Sequence, residues 1–273
     1  MWVSRMTILT FMNYNLTIAW LYPDLMSTYG DRGNIIVLKK RCEWRGIDVT
    51  IQEITLESPL SRLGESDLLF MGGAQDRQQK LVSDDFLHKK APLMKKMIEK
   101  NIPALLVCAA YQFAGHYYQP YQGEKIPGAG IFDLYTKHPG DQAKRLIGNV
   151  VAELLPSFWG VERLQNQLMK DSGQSRITLV GFENHGGRTY LGKNIKPLAK
   201  VIKGFGNNGE DGYEGAVYRN AIGSYFHGPL LPKNPHLADW LIAKALEVKY
   251  EKSIHLTSLP DELENLAHEA VIG

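Results

Sequence analysis

Short apolar runs alternate with helical segments through the first half of this chain. Apolar side chains recur at helical spacing over residues 35–45 and 86–100, and runs with strand character flank each of these helices. The runs predicted to be strands are residues 16–21, 48–54, 67–71 and 104–107. Strands that alternate with helices of this length predict an α/β fold with a mostly parallel central sheet covered on both faces. The loops after these strands should then lie along one edge, where open α/β sheets bind their ligands.

The second half of the chain is richer in strands. The runs predicted there are residues 146–154, 177–183, 215–218 and 222–226, and a long helix follows over 234–250. Residues 155–175 are expected to form a loop with a helical piece, and residues 1–15 an extension before the fold begins. We therefore predict one domain over 16–250 and a C-terminal tail over 251–273, with a short helix after Asp261.

Composition and charge exclude several classes of protein. Of the 273 residues, 44% are hydrophobic and 22% are charged, and the formal net charge is +2. A nearly neutral chain without a run of five like charges offers no basic face for nucleic acid. Two cysteines make a disulfide framework improbable and exclude a CxxC-type metal site, which favours a reducing compartment. No apolar stretch reaches the roughly 18 residues that span a bilayer, so we expect a cytoplasmic protein without a metal.

Cys108 lies where a nucleophile would be presented. It directly follows the predicted strand 104–107, at a tight turn between a buried strand and a helix. The positive end of a helix dipole favours the thiolate, which is the nucleophilic form of cysteine. The alternative is a buried structural cysteine, since free cysteines are among the most buried residues. Cys42, on the apolar face of a predicted helix, fits that alternative better.

A thiol nucleophile needs a base, and the chain has eight histidines. His227 stands at the end of the apolar run 222–226 and precedes a Gly-Pro turn, so it can face the active edge of the sheet. His185 is the rival candidate, because it lies two residues after Glu183 on a strand and shares a face with it. For either histidine, a ring satisfied by local hydrogen bonds is the alternative.

Two glycine-rich segments are interpreted differently. The backbone N–H groups of Gly72-Gly73-Ala74, at the end of a parallel strand, are predicted to form an oxyanion hole near Cys108. An ordinary strand-exit turn is the alternative for this segment. The segment from Gly204 to Gly209 matches the dinucleotide pattern GxGxxG, but it does not open a helix. We interpret it as a loop without a nucleotide site.

These motifs resemble one family of enzymes. Leu106-Val-Cys-Ala-Ala-Tyr-Gln112 is similar to the nucleophile turn of class I, triad-type glutamine amidotransferases. Gly181-Phe-Glu-Asn-His-Gly-Gly-Arg-Thr189 resembles the GYExHxGRT segment of the cobyric-acid-synthase-like branch, and Gly223-Ser-Tyr-Phe-His-Gly-Pro229 its catalytic-histidine strand. Two more segments resemble the GatD-type subunits of lipid II isoglutaminyl synthase: Leu21-Tyr-Pro-Asp-Leu-Met-Ser-Thr-Tyr-Gly-Asp-Arg-Gly-Asn34 and Gly72-Gly-Ala-Gln-Asp-Arg-Gln-Gln79. The resemblance implies a three-layer, flavodoxin-like α/β domain.

The resemblance also implies roles for individual residues. Cys108 would be the nucleophile and His227 the base, while Arg145 would bind the α-carboxylate of L-glutamine. The other residues expected to contact glutamine are Gly73, Gln112, Glu183 and His185. The chain would carry no cofactor of its own.

The implied partner is a MurT-type, Mur-ligase-like subunit that uses ATP and Mg²⁺. It would activate the D-glutamate α-carboxylate of the lipid II stem peptide, and ammonia from this chain would convert that group to D-isoglutamine. Through this complex a cytoplasmic protein would reach the inner face of the membrane.

The sequence departs from the family pattern at three places. Position 229, where the pattern has an acid two residues after the histidine, is Pro229. The alternatives are a Cys-His dyad without an acid, or an acid supplied from elsewhere in the chain or by the partner. Ala109-Ala110 replace two glycines after the nucleophile, which would be costly if either needs an unusual backbone conformation. Ala74 replaces a third glycine of the strand-exit loop.

Three other functions remain open from the sequence. One is an amidotransferase for another acceptor, such as a corrinoid; the absence of a Walker A motif in these residues would then require a separate ATP-binding subunit. A stand-alone cysteine hydrolase of γ-glutamyl compounds would need no partner. In a non-catalytic binding module, Cys108 and His227 would be coincidental.

Overall fold

The computed structural model of the chain describes residues 13–156 and 177–273. The strands are β1 (Asn15–Leu21), β2 (Asp48–Ile54), β3 (Leu68–Met71), β4 (Ala104–Val107), β5 (Tyr117–Gln119), β6 (Ile126–Pro127), β7 (Leu134–Lys137), β8 (Leu146–Leu154), β9 (Thr178–His185), β10 (Arg188–Leu191), β11 (Ala199–Lys203), β12 (Tyr213–Glu214), β13 (Ala216–Tyr218) and β14 (Ala221–Ser224). The helices are α1 (Arg32–Glu43), α2 (Leu60–Gly64), α3 (Asp76–Asp85), α4 (Ala91–Glu99), α5 (Ala109–Ala114), α6 (Pro235–Tyr250) and α7 (Glu262–Ile272). Within the described ranges, no helix is long and apolar enough to cross a membrane.

A six-stranded sheet in the order β13-β14-β4-β3-β1-β2 forms the centre of the molecule. Its neighbouring strands run parallel, except that β13 pairs antiparallel with β14 at one edge. The register pairs Met71 with Leu106 and Val107 with Ser224, so β3, β4 and β14 end at the same edge. The predicted α/β fold with a mostly parallel sheet is confirmed, and the segments after these strands meet there.

Helices cover both faces of the central sheet, as expected for a three-layer domain. Alternate side chains of a strand point to opposite faces. Leu16 and Ile18 of β1 join a buried core with α1 and α6, whereas Ala19 and Leu21 join a second core with α3, α4 and α5. Each face of the sheet therefore has its own apolar layer.

Two smaller sheets accompany the central one in the described part of the chain. Their strand orders are β10-β7-β5-β6 and β12-β11-β8-β9. The strands of the first sheet were not predicted from the sequence. Each has only two to four residues, too few to give a periodic apolar pattern. This sheet nevertheless contributes side chains beside the candidate site.

The helical prediction over 86–100 was too short. The structure begins the helix at Asp76 and continues through a π-helical turn, Phe86–Lys90, into α4. The predicted features over 1–15 and 155–175 lie largely outside the described residues.

The C-terminal tail packs against the domain. The buried Arg41 of α1 donates a hydrogen bond of 2.6 Å to Asp239 on α6 and another of 2.6 Å to Asp261, directly before α7. The ring of His268 on α7 lies 2.8 Å from the hydroxyl of Thr178. The division of the chain at residue 250 stays a prediction.

Candidate active site

Cys108 forms a strained turn between β4 and α5. Its φ of 53° and ψ of −104° place a residue with a side chain in a region that favours glycine. The backbone N–H of Cys108 donates to the carbonyl of Ser224 at 2.8 Å, which fixes the turn against β14. Ala109 and Ala110 lie within α5 and do not share this positive φ. Alanine in place of glycine therefore brings no left-handed backbone strain at these two positions.

His227 lies beside Cys108, just beyond the end of β14. The strand predicted over 222–226 ends at Ser224, and His227 continues the edge through an isolated bridge with Phe182. The two side chains meet at Gly73, where β3 ends. A β-carbon at Gly73 would lie 2.7 Å from Cε1 of His227 and 3.2 Å from the β-carbon of Cys108. Only glycine therefore lets the strand exit come so close to both groups.

Asp31 is the acid that orients His227. Its Oδ1 lies 3.2 Å from Nδ1 of His227, and both side chains are fully buried. Its Oδ2 accepts a 2.6 Å hydrogen bond from the N–H of Gly73. A carboxylate that accepts the Nδ1 proton leaves Nε2 to face the nucleophile. Of the alternatives left open by Pro229, the structure thus supplies an acid from elsewhere in the same chain.

The charges of this cluster favour a protonated His227. Burial by itself would lower its pKa, but a negative charge on Cys108 and the hydrogen bond to Asp31 outweigh burial and raise the pKa to about 10. Cys108 raises this pKa chiefly through its negative charge and to a smaller extent through a side-chain hydrogen bond to His227. This arrangement suits a thiolate–imidazolium pair, the reactive form of a cysteine nucleophile.

His185 occupies a different environment. Its ring stacks on Tyr225 with centroids 3.6 Å apart, and its Nδ1 lies 2.8 Å from the carbonyl of Gly187. Burial lowers its pKa, and the nearby Glu183 does not reverse that direction. These contacts favour a neutral, structural imidazole, so the geometry supports His227 over His185 as the base.

Glu183 holds the loop that matches GxGxxG. Its two carboxylate oxygens accept hydrogen bonds from the backbone N–H groups of Phe205, at 2.7 Å, and Gly206, at 3.0 Å. The loop amides thus bind a carboxylate of the protein itself, which explains the pattern without a nucleotide. Because Glu183 is fully buried with both oxygens engaged, its contacts do not support the prediction that it binds glutamine.

Gln112 also belongs to a buried network. Its Nε2 donates to the hydroxyl of Tyr225 at 3.0 Å. The Tyr225 hydroxyl lies 2.6 Å from that of Thr189, which in turn lies 2.7 Å from the hydroxyl of Thr136. Gln112 therefore links α5, the helix that follows Cys108, to this hydrogen-bond network. Its role as a glutamine ligand stays a prediction.

Gly73 was expected to donate its N–H to an oxyanion. In this conformation that N–H is bound to Asp31, so the hydrogen-bond pattern does not support this role. The N–H of Ala109 is the better-placed donor. It directly follows Cys108 at the start of α5, where helix amides have no partner within the helix.

Arg145 lies at the rim of the cluster. Its Nε and Nη2 donate to the side-chain oxygen and the carbonyl of Asn184, each at 3.0 Å. Asn184 donates in turn to the hydroxyl of Tyr29 at 3.0 Å, and the Tyr29 ring packs edge-on to His227 at 5.0 Å. The structure thus connects Arg145 to His227 through two residues that sequence reasoning missed.

Comparison with known proteins identifies the family of the chain. Residues 17–235 match the CobB/CobQ-like glutamine amidotransferase domain. The subunit GatD of lipid II isoglutaminyl synthase (glutamine-hydrolyzing) from Streptococcus pneumoniae is 37% identical over 250 residues, which cover 92% of this chain and 88% of the relative. The Staphylococcus aureus subunit GatD is 38% identical over 259 residues, with 95% and 93% covered.

Solved structures agree on the fold. The glutaminase domain of Trypanosoma brucei CTPS with bound acivicin superposes with a TM-score of 0.54 at 13% identity, covering 89% of this chain and 96% of that one. The chain belongs to the CobB/CobQ-like glutamine amidotransferase family, in the branch that contains the GatD subunits of lipid II isoglutaminyl synthase.

Proposed function

We propose that this chain is the glutaminase subunit of a lipid II isoglutaminyl synthase. It hydrolyses L-glutamine and delivers ammonia to a MurT-type, Mur-ligase-like partner, which amidates the D-glutamate of the lipid II stem peptide. The observation that carries the glutaminase assignment is the fully buried contact of 3.2 Å between His227 and Asp31 beside the strained Cys108 turn. The acceptor and the partner are supported by the 37–38% identity to GatD subunits.

The reaction follows from the three side chains. The Cys108 thiolate attacks the side-chain amide carbon of glutamine, and the developing oxyanion is stabilised by backbone N–H groups at the turn, including that of Ala109. His227 donates its Nε2 proton to the leaving nitrogen, so ammonia departs and a thioester remains. The neutral imidazole then takes a proton from water, which attacks the thioester. Glutamate leaves, and the thiolate–imidazolium pair is restored.

Asp31 acts through His227 in both steps. Because it accepts the Nδ1 proton, it keeps Nε2 directed at the sulfur and stabilises the imidazolium charge. The tight packing around Gly73 limits rotation of the ring. The chain thereby carries all three groups of the hydrolytic reaction.

ATP and Mg²⁺ belong to the proposed partner and not to this chain. The D-glutamate carboxylate must be activated before ammonia can replace an oxygen, and that activation consumes ATP. The glutaminase should therefore be coupled to the occupied synthetase site, which also prevents loss of ammonia to solvent. The complex would bring this chain to the inner face of the membrane, where lipid II is found.

The test is to co-express the chain with a MurT-type subunit and to measure glutamate release from glutamine by the isolated chain and by the complex. We expect co-purification and a rate at least ~10-fold higher in the complex, consistent with closure of the site. The Cys108→Ser complex is the matched inactive control. Full activity in the isolated chain, unaffected by the partner, would indicate a stand-alone hydrolase. A complex that releases glutamate but does not amidate lipid II would indicate another acceptor, such as a corrinoid.

A further inference from the structure

Two hydrogen-bond donors converge above Gly186, at the turn between β9 and β10. A β-carbon at Gly186 would lie 3.3 Å from Nη1 of Arg145 and 3.4 Å from Nε2 of His138. The first belongs to the arginine at the rim of the active site. The second belongs to His138, which directly follows β7 in the sheet β10-β7-β5-β6.

The hydrogen bonds of His138 fix which of its nitrogens carries the proton. The N–H of Gly140 donates to Nδ1 of His138 at 3.2 Å, so Nδ1 is the acceptor and the ring proton lies on Nε2. The ring also packs against Tyr121, with centroids 6.4 Å apart. His138 therefore presents an N–H donor on the side of Arg145.

The turn that carries Gly186 also contacts α5. A β-carbon at Gly187, the next residue of the same turn, would lie 2.8 Å from Nε2 of Gln112. Gln112 is on α5, the helix that begins directly after Cys108. The Gly186–Gly187 turn therefore packs against the helix that begins directly after Cys108.

We propose that His138 is a second recognition residue for the α-carboxylate of glutamine, acting beside Arg145. A guanidinium and an imidazole N–H that face the same point are complementary to a carboxylate, which can accept one hydrogen bond on each oxygen. The inference rests on the proposed glutaminase function and adds a specificity-determining residue to it. Arg145 supplies the charge, and His138 fixes the orientation of the carboxylate.

The test compares two alkylating reagents that react with the same thiol. 6-Diazo-5-oxo-L-norleucine carries the α-amino acid group of glutamine, whereas iodoacetamide does not. The second-order rate constant for labelling Cys108 is measured with each reagent by mass spectrometry, and the ratio of the two constants reports recognition of the amino acid end. Cys42 does not compete, because it is buried and burial raises the pKa of its thiol to about 12.

His138→Phe keeps a ring against Tyr121 but removes the donor, and we expect it to lower the ratio about tenfold, the effect of one hydrogen bond to a charged group. His138→Gln keeps an N–H donor and should restore most of the ratio. If the wild-type chain is selective for the norleucine reagent and His138→Phe shows the same ratio as the wild type, the inference is overturned. A wild-type chain without any such selectivity would instead overturn the proposed function.

Discussion

At the scale of single residues, the acid beside His227 comes from a different position in the chain than in the family pattern. Position 229, where the family pattern has an acid, is a proline whose ring packs on the first turn of α1, directly after Asp31. A β-carbon at Gly33 would lie 2.3 Å from Cγ of Pro229. Asp31 is held from the other side by the N–H of Gly73. Pro229 therefore packs beside the segment that carries the acid, and the acid itself is Asp31.

The first prediction concerns Asp31. Asp31→Asn keeps the shape of the side chain but loses the carboxylate that accepts the Nδ1 proton. We expect kcat for glutamine hydrolysis to fall by roughly two orders of magnitude or more, with little change in KM. Asp24→Asn, at an exposed position of the same loop region, is the matched control and should behave as wild type. Wild-type kcat in a folded Asp31→Asn variant would exclude Asp31 from catalysis.

The second prediction concerns the proton on His227. Its pKa is raised from 6.5 to about 10 chiefly by the charge of Cys108 and by Asp31, against the effect of burial. Removal of the thiolate in Cys108→Ser should therefore lower the pKa of His227, as measured by NMR titration of the imidazole. Because the folded value lies above the unfolded one, the ion pair contributes its full stabilisation below pH 6.5 and loses it as pH rises toward 10. A His227 pKa that is the same in both proteins would refute the ion pair.

At the scale of elements, the parallel register of the central strands brings the site residues together. β3, β4 and β14 end together, and this brings Gly73, Cys108 and His227 to one edge. The loop over 204–209 is then attached to β9 by Glu183. The buried carboxylate belongs to the same strand as Asn184 and His185, so the loop and the strand should be stable only together.

A third prediction follows from this attachment. Glu183→Ala removes two hydrogen bonds to a charged acceptor and leaves one buried amide, that of Gly206, and one partly buried amide, that of Phe205, without this partner, so we expect the free energy of unfolding to fall by about 2–4 kcal/mol. Urea denaturation measures this loss. Glu210→Ala, an exposed glutamate in the adjoining segment, should change stability very little. Equal stability of the two variants would show that the loop does not depend on Glu183.

Much of this element-level picture could be predicted, and the limits are physical. The Cys108 turn and the position of His227 follow from local patterns, because each comes after a short apolar run. Asp31 could not be found in that way, since its partner His227 is 196 residues away and its own segment resembles an ordinary turn. His138 was missed because the strands of its sheet are too short to show a period.

At the scale of the whole molecule, the three groups proposed for glutamine hydrolysis lie within one chain, while the proposed use of the ammonia needs a second subunit. Cys108, His227 and Asp31 all come from described elements of the central domain. The proposed partner then has no acid to supply. Its contribution would be to close the site and to receive ammonia at an activated carboxylate.

The most direct measurement follows the amide nitrogen. The complex of this chain with its MurT-type partner is given glutamine labelled with ¹⁵N in the side-chain amide, together with ATP, Mg²⁺ and lipid II, and the stem peptide is analysed by mass spectrometry. We predict ¹⁵N in the D-isoglutamine of the wild-type product and none with Cys108→Ser, whose amidation is restored by added ammonium. Transfer of ¹⁵N from glutamine by the Cys108→Ser complex, or wild-type amidation without the label, would contradict the account.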